Sequence, residues 1–392
     1  MARRKRPIPQ ALHGPIYAVI RAAITALGAA PPAEAMRWAR HAARIFARAP
    51  FNRPRLRRAI DNLAIARPRW SNEQREEYAV RAYEHIFMLA VEMASAERLI
   101  THDGWPPRVD VNHLGPELDT LLRAGRGGSA GGGGGGPCVL VTGHCGNFEL
   151  LGYGVAQLGF PVHALYRPFD LKPLDRWIRR TRESHGLMLL DKFGAGDDLP
   201  RLMAQGGMPG FVADQNAGDK GLFVPFFGRL ASSYKSVGLL AIHQRARVFC
   251  GVARRVSVPY ECWDEDGRPI PPALDPRIAQ AEPKPQSLRY RLDVVDIIEP
   301  QHWESQPDPL FYVTARYRRA IEKMVASAPE QFFWMHRYWK SRPRHEHQGK
   351  PFPGALRAKL EALPWMTQAE LDTIIEHSRR DAATLQQSKP AA

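Results

Sequence analysis

Cys138-Val139-Leu140-Val141-Thr142 is an apolar, β-prone run that passes without a break into Gly143-His144-Cys145-Gly146-Asn147-Phe148-Glu149. A short apolar run of this kind reads as a buried strand. Gly143 and Gly146 permit a sharp turn from that strand into a following helix. Strand and helix candidates then alternate to about residue 300. Strands are expected at Val162–Tyr166, Met188–Leu190, Gly210–Ala213, Val248–Val252 and Tyr290–Val295. Helices are expected at Glu149–Gln157, Pro173–Ser184, Leu199–Ala204 and Lys235–Gln244, with a further one at Leu310–Ser327. This alternation predicts an α/β fold, a mixed and mostly parallel sheet flanked by helices. Ligand sites in such folds lie beyond the carboxyl ends of the strands.

His144 and Glu149 stand five residues apart. In one regular helix that spacing would turn them ~140° from each other. They converge only if His144 sits in the turn and Glu149 in the first turns of the helix. A carboxylate beside an imidazole holds one ring nitrogen, and the other nitrogen can then take a proton from a hydroxyl. The pair therefore reads as a base for activating a substrate alcohol, and a plain structural ion pair fits the same residues. The spacing lacks the i, i+4 pattern of a helical zinc pair, so no metal site is expected. A serine-hydrolase elbow, G-x-S-x-G, is absent.

The chain of 392 residues is 44% hydrophobic and 24% charged, which excludes disorder throughout. No run reaches the ~18 uninterrupted apolar residues of a spanning helix, which argues against a polytopic membrane protein. Cys138, Cys145, Cys250 and Cys262 are too scattered for a disulfide framework and read as reduced thiols. The net charge of +15 is concentrated at the amino-terminal end. Residues 1–70 hold fifteen Lys/Arg against Glu34 and Asp61 alone. Such a field seeks an anionic partner. No nucleic-acid-binding signature accompanies it, so a membrane surface is favoured over nucleic acid. Arg3, Arg4, Lys5 and Arg6 precede an apolar stretch, Pro15–Ala30, interrupted by Arg21. That pattern suits a helix lying in the membrane interface or a marginal tilted anchor. A signal peptide and an ordinary solvated basic helix are the competing readings of the same residues.

Three regions follow from texture. Residues 1–105 form a basic, helical, membrane-associated region. Residues 106–345 form the α/β domain, with a Gly-rich insertion at 125–136 that reads as a surface-loop linker. Residues 346–392 form a polar appendage, with helices expected near Ala355–Leu363 and Thr367–Arg380.

The block His144-Cys145-Gly146-Asn147-Phe148-Glu149 resembles the H-F-G-N-W-E motif of the bacterial lipid A biosynthesis acyltransferases, lauroyl and myristoyl transferases of the lysophospholipid acyltransferase superfamily. Further blocks match in order. Tyr166-Arg167-Pro168, Leu174-Asp175 and Arg179-Arg180 are similar to the stretch after the family's second strand. Ala213-Asp214-Gln215 followed by Gly221–Gly228 (GLFVPFFG) is similar to its D-Q…G-x-F-V-P-F-F-G block. Pro329–Lys340 (PEQFFWMHRYWK) is similar to its last block. The resemblance covers about residues 10 to 345. Cys145 and Phe148 depart from the family's Phe and Trp, and Ala231–Lys235 lacks its Thr-rich run.

The resemblance implies a glycerolipid-acyltransferase-like fold and an O-acyltransferase. The acyl chain would leave a thioester, on acyl carrier protein or CoA, for a hydroxyl of a glycolipid at the cytoplasmic face of the inner membrane. No cofactor is implied. His144 would be the general base and Glu149 its orienting acid. Arg167 and Arg182 would bind phosphate or the developing oxyanion. Asn147, Asp214 and Gln215 would order the substrate site, and Phe227 and Gly228, with Phe223 and Phe226, would line an acyl tunnel. Trp334, Tyr338 and Trp339 would form an interfacial girdle or simply pack. Two alternatives remain. One is transfer to another lipid, such as a phosphoinositide mannoside, a lysophospholipid or an ornithine-type lipid. The other is an inactive basic membrane-binding protein.

Overall fold

This computed structural model describes residues 9–99, 108–111, 116, 119–121, 136–166, 168–184, 186–191, 195–256, 262–263, 269–270 and 289–387. Arg167 and residues 125–135 of the Gly-rich insertion lie outside these. The amino-terminal part is helical: α1 (His13–Ala29), α2 (Pro32–Arg48), α3 (Arg53–Ala66) and α4 (Asn72–Leu99). Helix α2 buries Ala35, Ala39, Ala43 and Ala47, one per turn. This stripe of small residues lets it lie close along α4. Arg40 and Arg44 on α2 pair with the buried Glu84 of α4, so part of the basic surplus is neutralised inside the protein.

The sheet contains β1 (Val109–Asp110), β2 (Cys138–Thr142), β3 (Val162–Tyr166), β4 (Met188–Asp191), β5 (Met208–Val212), β8 (Arg247–Arg255) and β9 (Tyr290–Ile298). Between β5 and β8 the chain makes a separate hairpin, β6 (Leu222–Phe226) and β7 (Arg229–Ser233). The sheet order is β1-β9-β8-β2-β5-β3-β4. All neighbours are parallel except β9 and β8. It is therefore mixed and mostly parallel, as the alternation of elements requires. The crossovers are α5 (Phe148–Gln157), α6 (Lys172–Ser184), α7 (Ala195–Ala204) and α8 (Lys235–Gln244), followed by α9 (Pro300–Glu304) and α10 (Pro309–Ser327). Strand β2 is central. Val139 and Val141 enter the core that also holds residues of α7, α8 and α10, whereas Cys138 and Leu140 face the core formed with α5. That alternation is the period-two geometry of a strand covered on both faces.

The carboxyl-terminal residues form α11 (Arg344–Gln348), α12 (Gly354–Glu361) and α13 (Gln368–Gln387). Helix α13 runs seven residues past the expected end at Arg380. It is held by ion pairs between Asp381 and both Arg229 and Arg342. The loop joining β6 to β7 is Phe227-Gly228, both at positive φ (50° and 65°), as a two-residue type I′ turn requires. His377 of α13 hydrogen-bonds the Gly228 carbonyl at 2.7 Å, so the tail grips the tip of this hairpin.

Helix α1 buries no residue fully, and Gln10–Ala29 is long and apolar enough to cross a membrane by length and composition. It nevertheless rests on the globule. Arg21 sits 4.7 Å from the ring centroid of Trp177 on α6, and a Cβ at Gly28 would stand 3.0 Å from the Ala94 carbonyl oxygen. Its outward face, with Val19, Ala22, Ala23 and Ala26, is apolar and exposed, and Trp38, Ile45 and Phe51 are exposed on the next two helical segments.

Candidate active site

Strands β2 and β5 pair in parallel, with Thr142 opposite Val212. His144 and Asp214 each lie two residues further on, so the register sets them side by side at the carboxyl edge of the sheet. His144 Nδ1 stands 2.7 Å from Asp214 Oδ1. The expected partner, Glu149, is elsewhere. It lies in the first turn of α5, where Arg182 of α6 donates two N–H groups to it, Nε at 2.9 Å. The structure thus hydrogen-bonds His144 to Asp214 and Glu149 to Arg182, and Glu149 acts on the imidazole through its charge alone. The physical reason is register: a parallel pair brings residues 70 positions apart into contact, while the helix start turns Glu149 toward α6.

Asp214 is fully buried. Burial alone would push its carboxyl up, but the His144 charge and hydrogen bonds, with the Arg318 charge, outweigh it and hold the group below the ordinary carboxylate range. Burial likewise pulls the His144 imidazole down. The Asp214 charge and hydrogen bond, followed by the Glu149 charge, overcome that and leave it raised. With Nδ1–H donated to the carboxylate, Nε2 carries the lone pair. It is 3.3 Å from Gln215 Nε2, whose N–H donates to it. The imidazole remains partly open to solvent, its side chain 23% exposed.

Arg318 on α10 is fully buried, 3.8 Å from the Phe226 ring centroid, and donates to the carbonyls of Ala213 and Asp214. It pins the backbone that presents the carboxylate. Tyr338 Oη lies 3.3 Å from Asp214 Oδ2 and 2.8 Å from the Phe333 carbonyl. The imidazole's own loop is fastened at three points: Gly146 N–H to Gln331 O at 2.8 Å, Asn147 N–H to Ala253 O at 2.7 Å, and Phe333 N–H to His144 O at 3.1 Å. Gly146 has φ +57°, and a Cβ there would drive into the Ala253 carbonyl.

Asn147, expected to touch substrate, is buried. It caps α5 by accepting from Leu150 N–H at 2.8 Å and donates to Glu92 at 2.8 Å. Glu92 in turn receives Arg255, which also contacts His85 and Gln331. This buried polar network supports the turn from below. Arg182, expected to hold an anion, gives its charge to Glu149. Phe227 and Gly228 are the hairpin turn, with Phe227 N–H bonded to Glu322 and its ring 5.8 Å from that of Trp334. Trp334, Tyr338 and Trp339 are buried, which makes them core and not an interfacial girdle. Sequence reasoning missed Arg318, Arg255, Glu92 and His85. The Pro329–Lys340 block was the one signal that the last segment belongs to the site.

Two cavities lie near His144, which reaches them through the neighbouring rings of Phe148 and Phe333. A narrow apolar one of about 100 Å³ lies under β2, β3 and β5 against α5, lined by Leu151, Ala164 and Gly210, with Phe148, Glu149 and Arg182 also on its wall. The Phe148 ring is 5.2 Å from the imidazole. On the other side a wider cleft of about 760 Å³ runs between α3–α4 and the Phe333–Lys340 segment. Phe333 lines that cleft with its ring 6.2 Å from that of His144.

A buried carboxylate hydrogen-bonded to an imidazole beyond the strand ends, with an apolar cavity and an open cleft nearby, is an arrangement that can activate a hydroxyl. Residues 9–258 match the family model of the bacterial lipid A biosynthesis acyltransferases, and the chain belongs to that family. It is therefore an acyltransferase. It is 28% identical over 306 residues to the lipid A biosynthesis palmitoleoyltransferase of Escherichia coli (strain K12). The same identity and span hold for the lipid A biosynthesis acyltransferase of Shigella flexneri. Each alignment covers 75% of this chain and 81% of the relative.

Proposed function

We propose that the protein transfers an acyl chain from an acyl carrier protein thioester to a hydroxyl of a lipid A-type glycolipid at the cytoplasmic face of the inner membrane. The observation that carries this reading is the His144–Asp214 pair at the carboxyl edge of the sheet, next to Phe148 and Phe333, which line an apolar cavity and an open cleft. His144 Nε2 takes the proton of the acceptor hydroxyl as its oxygen attacks the thioester carbon. Asp214 holds the ring in the productive tautomer and stabilises the imidazolium that forms. The tetrahedral oxyanion collapses, the C–S bond breaks, and the departing thiolate recovers the proton from Nε2. Gln215, whose amide N–H donates to this nitrogen in the free protein, turns from it as the acceptor hydroxyl binds and becomes the side-chain donor to the oxyanion. The first methylenes of the acyl chain enter the apolar cavity past Phe148, and the ion-paired Glu149 and Arg182 brace its wall. No enzyme-bound acyl intermediate is required.

The test is acyl transfer by purified protein from carrier-protein and CoA thioesters to lipid A-type and phospholipid acceptors, with products weighed by mass spectrometry. The expected product is an acylated glycolipid formed from the carrier-protein thioester. Undiminished transfer by His144→Ala would overturn the mechanism, and an acylated phospholipid as sole product would overturn the acceptor.

A further inference from the structure

The wider cleft carries a chemistry that catalysis at His144 does not use. Arg55 and Arg58 project from α3, and Arg337 and Lys340 from the segment after Trp334, all four onto its wall. None forms an ion pair with a described residue. This sets them apart from Arg40 and Arg44, which share Glu84, and from Arg57, which pairs with Asp61. Arg58 is anchored by donating to the Met335 carbonyl at 3.3 Å. Burial, then the like charges of Arg337 and Arg55, lower its pKa. Cations crowded into a concavity without a counter-charge form an anion site waiting for its ligand.

The rest of the lining says what kind of anion. Phe46, Ile86 and Phe87 form an apolar wall opposite Phe333, and Asn216 and His336 supply polar groups between them. Phe46 leads outward to the exposed Ile45 and Phe51, and their rings pack, Phe46 to Phe51 at 5.4 Å. A volume of about 760 Å³ lies within the ~300–1,000 Å³ of small-ligand sites. Arg55, Arg337 and Lys340 are exposed and Arg58 is half-buried, whereas Ile86, Phe87 and Phe333 are half-buried and Tyr83 is buried, so the charges stand at the mouth of an apolar-walled cleft. The ligand it fits is amphiphilic, with a phosphorylated head held by these cations and apolar parts against the Phe46, Ile86 and Phe87 wall.

We propose that this cleft seats the phosphate-bearing sugar headgroup of the acceptor lipid, with Arg55, Arg58, Arg337 and Lys340 as its phosphate ligands. Naming the occupant as the acceptor rests on the acyl-transfer reading above. Bound there, the headgroup delivers its hydroxyl past Phe333 to His144.

The experiment uses full-length protein with Arg55→Ala/Lys340→Ala and Arg55→Glu/Lys340→Glu, both positions being exposed and free of structural bonds to lose. The probes are a phosphorylated disaccharide glycolipid in detergent micelles, the same glycolipid stripped of phosphate, and inorganic phosphate alone. Binding is measured in a His144→Ala background, where no turnover intervenes. The phosphorylated lipid is expected to bind about tenfold or more tighter than the stripped one, and the double alanine variant to lose about that factor. In the active protein the same variant raises the acceptor KM about tenfold and leaves the thioester KM and acceptor-free thioester hydrolysis unchanged. The charge-reversed variant loses more. Equal affinity for the stripped lipid overturns the proposal. So does a rise in the carrier-protein KM alone, which would make the cleft a protein landing site. Displacement of the glycolipid by micromolar inorganic phosphate overturns it too, because it would mark a free-anion site. Turnover by His144→Ala would sink the catalytic reading separately, while the binding data still decide the cleft.

Discussion

His144 and Asp214 meet because each stands two residues beyond strands whose register places Thr142 opposite Val212, and the contact that results is 2.7 Å from Nδ1 to Oδ1. The pair is thus set by the sheet and not by the loop that carries the histidine. Its electrostatics follow from the same placement. A fully buried carboxylate kept ionised by its neighbours raises the imidazole beside it.

The first prediction concerns pH. A base with a raised pKa becomes competent only as pH climbs through that value, so the acidic limb of the rate profile should lie above the ordinary 6.5 of histidine. Asp214→Asn removes the charge that raises it. The limb should move to lower pH while kcat falls by about 10²- to 10⁴-fold. An unmoved limb in this variant would separate Asp214 from the base.

Glu149→Gln tests which carboxylate serves the imidazole. Its charge reaches the imidazole without a hydrogen bond, so the limb should move in the same direction as in Asp214→Asn but by less. The larger effect should be on stability, because Arg182, with a side chain 15% exposed, loses its counter-charge and one of two acceptors. Rate profiles and thermal melts of both variants, side by side, decide this. If Glu149→Gln shifts the limb further than Asp214→Asn, the assignment is reversed.

Gly146→Ala should destabilise the fold by about 3 kcal/mol or more, since it combines a positive φ with a clash against backbone. Gly143→Ala is milder. Its Cβ would stand 3.0 Å from the Ile321 Cγ2, a side-chain methyl that can shift, so about 1–3 kcal/mol is expected. Urea unfolding of the two variants checks the order.

Glu346 is fully buried and bonds Arg342 through both carboxylate oxygens, at 2.7 and 2.8 Å. Glu346→Ala leaves a buried guanidinium short of its main partner and should cost about 3–5 kcal/mol. The loss should be accompanied by loosening of α13, read as faster hydrogen exchange over residues 368–387. Exchange unchanged there would show that the tail is held by other contacts.

Glu322 gives a second pH signature. Burial raises its pKa from 4.5 to about 7, against the lowering effects of the Phe227 N–H bond and of Arg318 and Arg319. Between those two values the folded chain holds a proton that the unfolded chain has released, so stability falls as pH rises through the window. Glu322→Gln keeps an oxygen acceptor for Phe227 N–H and abolishes the titration. Its stability should match wild type near pH 4.5 and decline less toward pH 7, as measured by unfolding at several pH values.

The legible parts of this chain are local ones. The apolar run at β2, the two glycines after it and the histidine between them announce a strand, a turn and a reactive group within a dozen residues. The carboxylate that serves the histidine does not announce itself, because parallel pairing of β2 with β5 has no mark in the residues between them. Proximity in sequence favoured Glu149 instead. The same holds for Arg255 and Glu92, which meet across 163 positions. The β6–β7 hairpin was hidden for a different reason. Its type I′ turn is built from Phe227-Gly228 and not from Asn-Gly or Asp-Gly. Phe227 tolerates its left-handed backbone because Glu322 and Trp334 hold it there.

Helix α1 has one further consequence. Stitched to the globule by Arg21 on Trp177 and by Gly28 against Ala94, it would have to peel away before piercing a bilayer. Left in place against a membrane, it would moor the molecule like a hull on a single leaflet, greasy side down. The catalytic edge would then ride at one fixed height, and the acceptor lipid would arrive by drifting sideways within that sheet of lipid.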